Sequence, residues 1–260
     1  MRKNTDKRKT GLARSLSKLG YCSRSRAAEL IRAGRVSLNG KIRRDPETPV
    51  FDRKSQIAVD GKQIEPQGKI YWMMNKPRGV VTTAADEKGR VTVYTILGRR
   101  SANDSSASGE EQPWLAPVGR LDKASEGLLL LTNDSEWAAR IAAPETHLDK
   151  TYHVQVEAVG GEEFLQDLMC GVKAKNGEVL RAKQARRLRA GRKNCWLEIV
   201  LDEGKNRQIR RIMEALGVEV LRLLRVAIGP LQLGDLAKGA VRPLTVDEKR
   251  MLDRAIRERS

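Results

Sequence analysis

Pro117-Val118-Gly119-Arg120-Leu121-Asp122-Lys123-Ala124-Ser125-Glu126-Gly127-Leu128-Leu129-Leu130-Leu131-Thr132-Asn133-Asp134 is the most informative stretch of this 260-residue chain. The run Leu128–Leu131 is wholly apolar, with Gly127 before it and Thr132-Asn133-Asp134 after it. A short apolar run between turn residues fits a strand buried on both faces. Asp122 then falls on a glycine-flanked loop at the mouth of that strand, a place where a rigid scaffold can hold a reactive side chain. Taken alone, a loop aspartate also suits a turn or a helix cap. Glu126, four residues on, raises the reading of a paired-carboxylate glycosidase.

Downstream, Ser135 can cap a helix carrying Trp137 and Ile141. Thr151–Val159 alternates apolar and polar residues, as a half-buried strand does. A helix is expected over Glu162–Cys170, ending at Gly171, and a strand over Trp196–Leu201. Ile209, Ile212, Met213 and Leu216 place a helix over 206–216, with Gly217 just past its end. Thr245 and Glu248 have capping-box spacing for a last helix reaching about Arg257. Upstream, Ile70–Asn75 reads as a strand broken by Lys76-Pro77-Arg78-Gly79, and Val91–Leu97 is short and apolar. Residues 99–113 are polar and of low complexity, and read as a mobile surface insertion. The irregular mixture of strands and helices predicts an α+β domain on a largely antiparallel sheet.

Residues 11–64 read as a separate small unit. Ser23 or Ser25 caps a helix whose apolar face is Ala27, Leu30 and Ile31, and Gly34 stops it. Val36-Ser37-Leu38, Asn39-Gly40 and Lys41-Ile42 form a hairpin signal, because both turn residues tolerate positive φ. Arg24, Arg26, Arg32, Arg35, Lys41, Arg43 and Arg44 make this a helix-hairpin unit with a dense positive surface. The expected organisation is a basic tail at 1–10, this unit at 11–64, a linker near 62–69, and a larger domain at 65–260.

The chain has 50 Lys+Arg against 33 Asp+Glu, a formal net charge of +17. Such a surplus points to a polyanionic partner, and neutralised phosphates release counterions. An anionic membrane is the rival, but no apolar run approaches the ~18 residues of a membrane span. MRKNTDKRKT at the start lacks the apolar stretch of a signal peptide. The three cysteines, Cys22, Cys170 and Cys195, are far apart, and with His147 and His153 they complete no metal pattern. This usage suits a reducing, cytoplasmic compartment and predicts no metal site. Aromatics are 4% of residues, too few for a base-stacking platform, so RNA contact would rest on charge and shape.

Two resemblances sharpen this reading. Leu16, Leu19-Gly20, Ser23-Arg24, Ala27, Ile31, Gly34-Arg35-Val36, Leu38, Asn39-Gly40-Lys41 and Ile57–Lys62 resemble the alpha-L (S-four-type) RNA-binding domain. The Gly119-Arg120-Leu121-Asp122 segment with its following GLLLLTND is similar to the central motif of pseudouridine synthases. Asn75-Lys76-Pro77-Arg78-Gly79, Asp86, Gly89-Arg90, Lys150-Thr151-Tyr152, Glu203–Arg211 and Leu224–Pro230 match further signatures in order. The branch most resembled acts on ribosomal RNA and carries the alpha-L domain, as the 23S large-subunit enzymes do.

This resemblance implies a cofactor-free isomerisation in which the uridine loses its bond from sugar to ring nitrogen, turns over and rejoins through carbon. Asp122 is the implied catalytic carboxylate, ionised at the start, adding covalently or removing a ribose proton. Arg210 is implied as its basic partner and Tyr152 as the active-site tyrosine. Arg120, Lys150, Arg207, Arg211 and Lys76 are candidate substrate contacts, and Ser23, Arg24, Arg26, Arg35, Asn39 and Lys41 candidate RNA contacts of the first unit. A glycosidase would hydrolyse rather than rejoin, and the motif varies at Glu126, so that reading is rejected. The implied partner is ribosomal RNA or a pre-ribosomal particle, bound by a monomer with no membrane contact. A 16S rRNA enzyme, a transfer-RNA enzyme and a non-catalytic ribosome-assembly factor are the rivals.

Overall fold

Asn-Gly and Asp-Gly turns shape the first part of the chain. In the computed structural model, which describes residues 10–51, 55–83, 89–98, 114–157 and 161–258, β2 (Val36–Leu38) and β3 (Lys41–Arg43) flank Asn39 at φ 52° and Gly40 at φ 78°. Both central residues are left-handed, the geometry that matches strand twist in a two-residue hairpin. The same chemistry recurs at Asp60 (φ 50°) and Gly61 (φ 79°) between β5 (Ile57–Val59) and β6 (Lys62–Gln63). These strands form a four-stranded antiparallel sheet in the order β3-β2-β5-β6. Helices α1 (Leu12–Lys18) and α2 (Arg24–Arg32) cover it, burying Leu12, Leu16, Ala27 and Ile31 against Val36 and Val59. Ser23, not Ser25, caps α2, its Oγ accepting from the Arg26 amide. The linker expected from residue 62 begins later, because Lys62 and Gln63 pair with β5. Thr10 is likewise strand rather than tail, pairing with Val50. The rest of the basic tail, the insertion at 99–113 and Asp86 lie outside the described residues.

The described residues separate into two compact units, one drawn from those within 10–70, 94–116 and 132–136 and the other from those within 71–93, 117–131 and 137–258. The second is built on the nine-stranded sheet. Its strands are β7 (Tyr71–Lys76), β8 (Ala116–Val118), β9 (Glu126–Thr132), β10 (Lys150–Glu157), β13 (Gln184–Ala190), β14 (Asn194–Leu201), β15 (Val220–Ile228), β16 (Leu231–Gln232) and β17 (Val241–Pro243). The short pair β11 (Val172–Lys173) and β12 (Val179–Leu180) stands apart, and β4 (Pro49–Val50) pairs with β1 (Thr10–Gly11) in the first unit. The central order is β13-β14-β10-β15-β9-β7-β17. The pairings β13–β14, β14–β10, β10–β15, β15–β16 and β7–β17 are antiparallel and β15 with β9 is parallel, so the α+β expectation of a largely antiparallel sheet holds.

The apolar run forms the expected strand. Leu128 to Leu131 are each 0% exposed, so both faces are covered. Fully burying one leucine contributes roughly 1.5–3 kcal/mol. Leu128 and Leu130 pack with Trp137 and Ile141 of α4 (Ser135–Ala142) and with Leu252 and Ile256 of α7 (Val246–Arg257). Ser135 is the first residue of α4 rather than its cap. Val91–Leu97 supplies the four-residue helix α3 (Val93–Ile96). A second core joins α5 (Glu162–Cys170) and α6 (Gln208–Ala215) to Val154, Val156, Leu197 and Ile199 of β10 and β14. Helix α6 is shorter than the 206–216 expected, because Arg207 adopts a left-handed φ of 50°. Thr245 and Glu248 form both bonds of the capping box. No helix among the described residues is long and apolar enough to cross a membrane.

Candidate active site

The loop between β8 and β9 is held by backbone and side-chain bonds from three directions. Gly119 turns the chain at φ 70°. The Thr82 hydroxyl donates to the Leu121 carbonyl at 2.9 Å, and the Gly79 amide to that of Lys123 at 2.7 Å. Lys76 completes the support. It is 0% exposed, and its Nζ donates to the carbonyls of Pro77 and Asp122 at 3.1 Å each and of Ser125 at 2.7 Å. Lys76 is therefore not the substrate contact expected from the motif, since no ligand reaches its ammonium.

Burial pushes the Lys76 pKa down to about 8, against the opposing pull of Asp122 and Glu126. The native state then binds fewer protons than the unfolded chain between pH 8 and 10.5, so this group adds stability as pH rises through that window. Its deprotonation leaves two donors for three carbonyls. Lys76→Met is expected to lower kcat about 100-fold, with KM for RNA changed less than about threefold. A small displacement of a reacting group has that kinetic signature. Steady-state kinetics on a variant with native circular dichroism would test it, and an unchanged kcat would show that the loop needs no such tether.

Asp122 opens onto a cleft of about 390 Å³ lined also by Arg120, Lys150, Tyr152, Arg207 and Arg225. Five of the eight expected catalytic and substrate residues thus converge there. The nearest guanidinium is that of Arg207, with Nη1 3.9 Å from Asp122 Oδ2. Arg207 precedes α6, and its left-handed backbone is a conformation that few non-glycine residues adopt.

Arg210 does not make the expected ion pair with Asp122. Its Nη2 donates instead to the Ala124 carbonyl at 3.1 Å, while its buried Nε has no partner. Burial and the neighbouring Arg207 lower its pKa, with Asp122 opposing and Arg78 adding to the repulsion. Arg211 is also spoken for, its Nη2 lying 2.8 Å from Glu178 Oε2 and 2.7 Å from Asn176 Oδ1. The helical spacing of 206–216 could not distinguish these three arginines, because only the left-handed break at Arg207 turns it toward Asp122.

Arg225 was missed as a site residue. A register shift on β15 leaves Val226 without a direct partner and sets Arg225 opposite Tyr152. Bulges commonly re-aim a side chain in this way. Arg225 is 6% exposed and its Nε donates to the Leu128 carbonyl at 2.8 Å. The signal was present in Leu223-Leu224-Arg225-Val226-Ala227-Ile228, where one arginine interrupts an apolar strand. Glu126, rejected above as a catalytic acid, is 4% exposed and bound by Arg222 at 3.0 Å and Lys238 at 3.1 Å. Those two hold its carboxyl below the usual range although burial raises it. It does not line the cleft.

In the first unit, Arg24 and Lys41 stand exposed on α2 and β3. Arg26 pairs with Glu29 at 3.0 Å, and Arg35 forms a two-bond pair with Asp60 across the sheet. The Asn39 side chain accepts from the Gln56 amide, so Asn39, like Ser23, has a structural use.

The model of the RNA pseudouridylate synthase family matches residues 70–215, and that of the S4 domain residues 10–50. A ribosomal large subunit pseudouridine synthase B of Bacillus subtilis is 35% identical over 243 residues, covering 93% of this chain and 94% of the relative. An uncharacterized RNA pseudouridine synthase of Aquifex aeolicus is 36% identical over 241 residues, covering 93% and 92%. A crystal structure of a pseudouridylate synthase aligns with a TM-score of 0.62 at 28% identity, over 94% of this chain and 99% of the other.

Proposed function

Because the chain belongs to the RNA pseudouridylate synthase family, we propose that it isomerises a specific uridine of 23S ribosomal RNA, with Asp122 as the catalytic carboxylate. The observation that carries this reading is the convergence of Asp122, Arg207, Tyr152 and Arg225 on one cleft. The 23S assignment is supported by the name of the Bacillus relative and by the S4 domain match ahead of the catalytic unit.

The target nucleotide leaves its stack to reach Asp122, at roughly a few kcal/mol. Tyr152 lines the cleft beside Asp122 and offers a ring for the uracil and a hydroxyl to help take the final proton from the ring carbon. Arg207 faces the carboxylate, and Arg210 braces the loop through Ala124. Arg120 and Lys150 at the cleft wall suit the flanking phosphates. Nothing in this scheme calls for a group donor or a redox partner, since bonds are exchanged within one nucleotide.

The exposed arginine and lysine of the first unit serve as an RNA-docking surface. Arg24→Gln with Lys41→Gln is expected to raise KM for RNA several-fold and to lessen its salt dependence by roughly one unit of log–log slope. A slope equal to wild type would remove the first unit from RNA binding. The activity itself is tested by mapping pseudouridine in total RNA, with and without the gene, by carbodiimide modification and primer extension. Loss of one 23S site is the expected result. Loss in 16S rRNA would keep the chemistry and reverse the substrate. With no site lost, a wild-type growth phenotype of Asp122→Asn would favour a non-catalytic assembly role.

A further inference from the structure

The stretch 181–201 carries seven basic residues, Arg181, Lys183, Arg186, Arg187, Arg189, Arg192 and Lys193, against one acid, Glu198. It folds as the hairpin β13–β14, and β13 is the outer strand of the central sheet. Six of the seven residues of β13, all but Ala185, are exposed. The alternation of β14 buries Cys195, Leu197, Ile199 and Leu201 in the core and turns Trp196, Glu198 and Val200 to the opposite face. Register places Arg189 beside Trp196, and Gln155 and then Arg222 follow on the next two strands. The guanidinium carbons of Arg189 and Arg222 lie 5.3 Å and 5.5 Å from the Trp196 ring centre.

Charged residues on an outer strand can simply block edge-to-edge pairing. That role does not call for an aromatic ring on the second strand or a guanidinium on the fourth. A tryptophan between two arginines restrains Arg189 by cation–π attraction and adds to the hold that Glu126 already has on Arg222 through its Nε. Ordered guanidinium forks on a surface with this charge excess match phosphate oxygens. The ladder of Arg189, Trp196 and Arg222 lies on the sheet face opposite Tyr152, which pairs with core-facing Ile199, so an RNA held in the cleft reaches the ladder by passing round the outer strand β13 of the same compact unit.

We propose that the β13–β14 hairpin is a second RNA-binding surface, which grips the phosphate backbone of the substrate RNA while the target uridine occupies the cleft. Arg187, Arg189 and Arg192 supply contacts, and Trp196 is a positioning residue that holds Arg189 and Arg222. The proposal rests on the pseudouridine synthase reading above.

The test is steady-state kinetics of the full chain on deproteinised ribosomal RNA from cells lacking the gene, across a salt series. The triple variant Arg187→Gln, Arg189→Gln, Arg192→Gln is expected to raise KM about tenfold, leave kcat unchanged and lower the log–log salt slope by roughly two. Trp196→Leu should raise KM about threefold and Trp196→Phe should restore it, because an aromatic face and not bulk is required. Unchanged KM and slope in the triple variant would overturn the proposal, and association of that variant into larger species would then identify edge blocking as the role. An equal fall in kcat would also overturn it, by showing damage to the cleft. If the wild-type chain forms no pseudouridine on this RNA, the underlying reading fails instead.

Discussion

Asp122→Asn is expected to abolish pseudouridine formation while leaving RNA binding intact. The substitution is nearly isosteric, and the Asp122 backbone carbonyl that Lys76 holds is unaffected, so the loop keeps its shape. What is lost is the negative charge and the ability of the oxygen to act as nucleophile or base. Removing a group that every route requires costs about 10⁴-fold or more in kcat. Affinity should stay within about threefold of wild type, or tighten, because one negative charge leaves a surface that binds polyanions. Release of tritium from RNA labelled at uridine carbon 5 reads the chemistry, and filter binding reads the affinity. Turnover at the wild-type rate in this variant would remove Asp122 from the mechanism.

Much of this site was legible in the sequence because its parts are local. The loop before an apolar strand, the hairpin turn at Asn39-Gly40 and the capping box at Thr245 are each determined by a few neighbouring residues. Motif order then brought Asp122, Tyr152 and Arg207 to one list, and the cleft holds all three. The errors arose where a residue's role depends on distant partners. Lys76 is adjacent to a proline turn and reads as an exposed cation, yet three carbonyls, two of them more than forty positions away, take its ammonium. Arg210 and Arg207 are indistinguishable by helical spacing, and a single left-handed φ decides which one meets Asp122. Strand β13, QARRLRA, shows almost no apolar alternation, because an outer strand needs only backbone pairing on one side to belong to the sheet.

Gly127→Ala is expected to be the most destabilising single substitution near the site. Gly127 is the second residue of β9 and has a φ of 104°, a conformation that an L side chain adopts only under strain. A Cβ there would lie 2.3 Å from the Arg225 carbonyl oxygen and 2.8 Å from its amide nitrogen. Both are backbone atoms of the neighbouring strand, so no rotamer change relieves the overlap, and the parallel pairing of β15 with β9 must open at Arg225↔Gly127. Left-handed strain contributes roughly 1–3 kcal/mol, and displacement of the strand should bring the total to about 4 kcal/mol or more, a large share of the 5–15 kcal/mol available to a domain.

Gly119→Ala is the matched control. Gly119 also has positive φ, at 70°, but nothing lies within 4 Å of its Cβ position. Denaturant midpoints of the two variants therefore separate strain from overlap. The same displacement would carry Arg225 away from Tyr152, so Gly127→Ala should also lose activity at temperatures where it remains folded. If Gly127→Ala proves no less stable than Gly119→Ala, the close approach of β9 and β15 does not constrain the fold as argued. The position of Arg225 at the cleft would then need another cause.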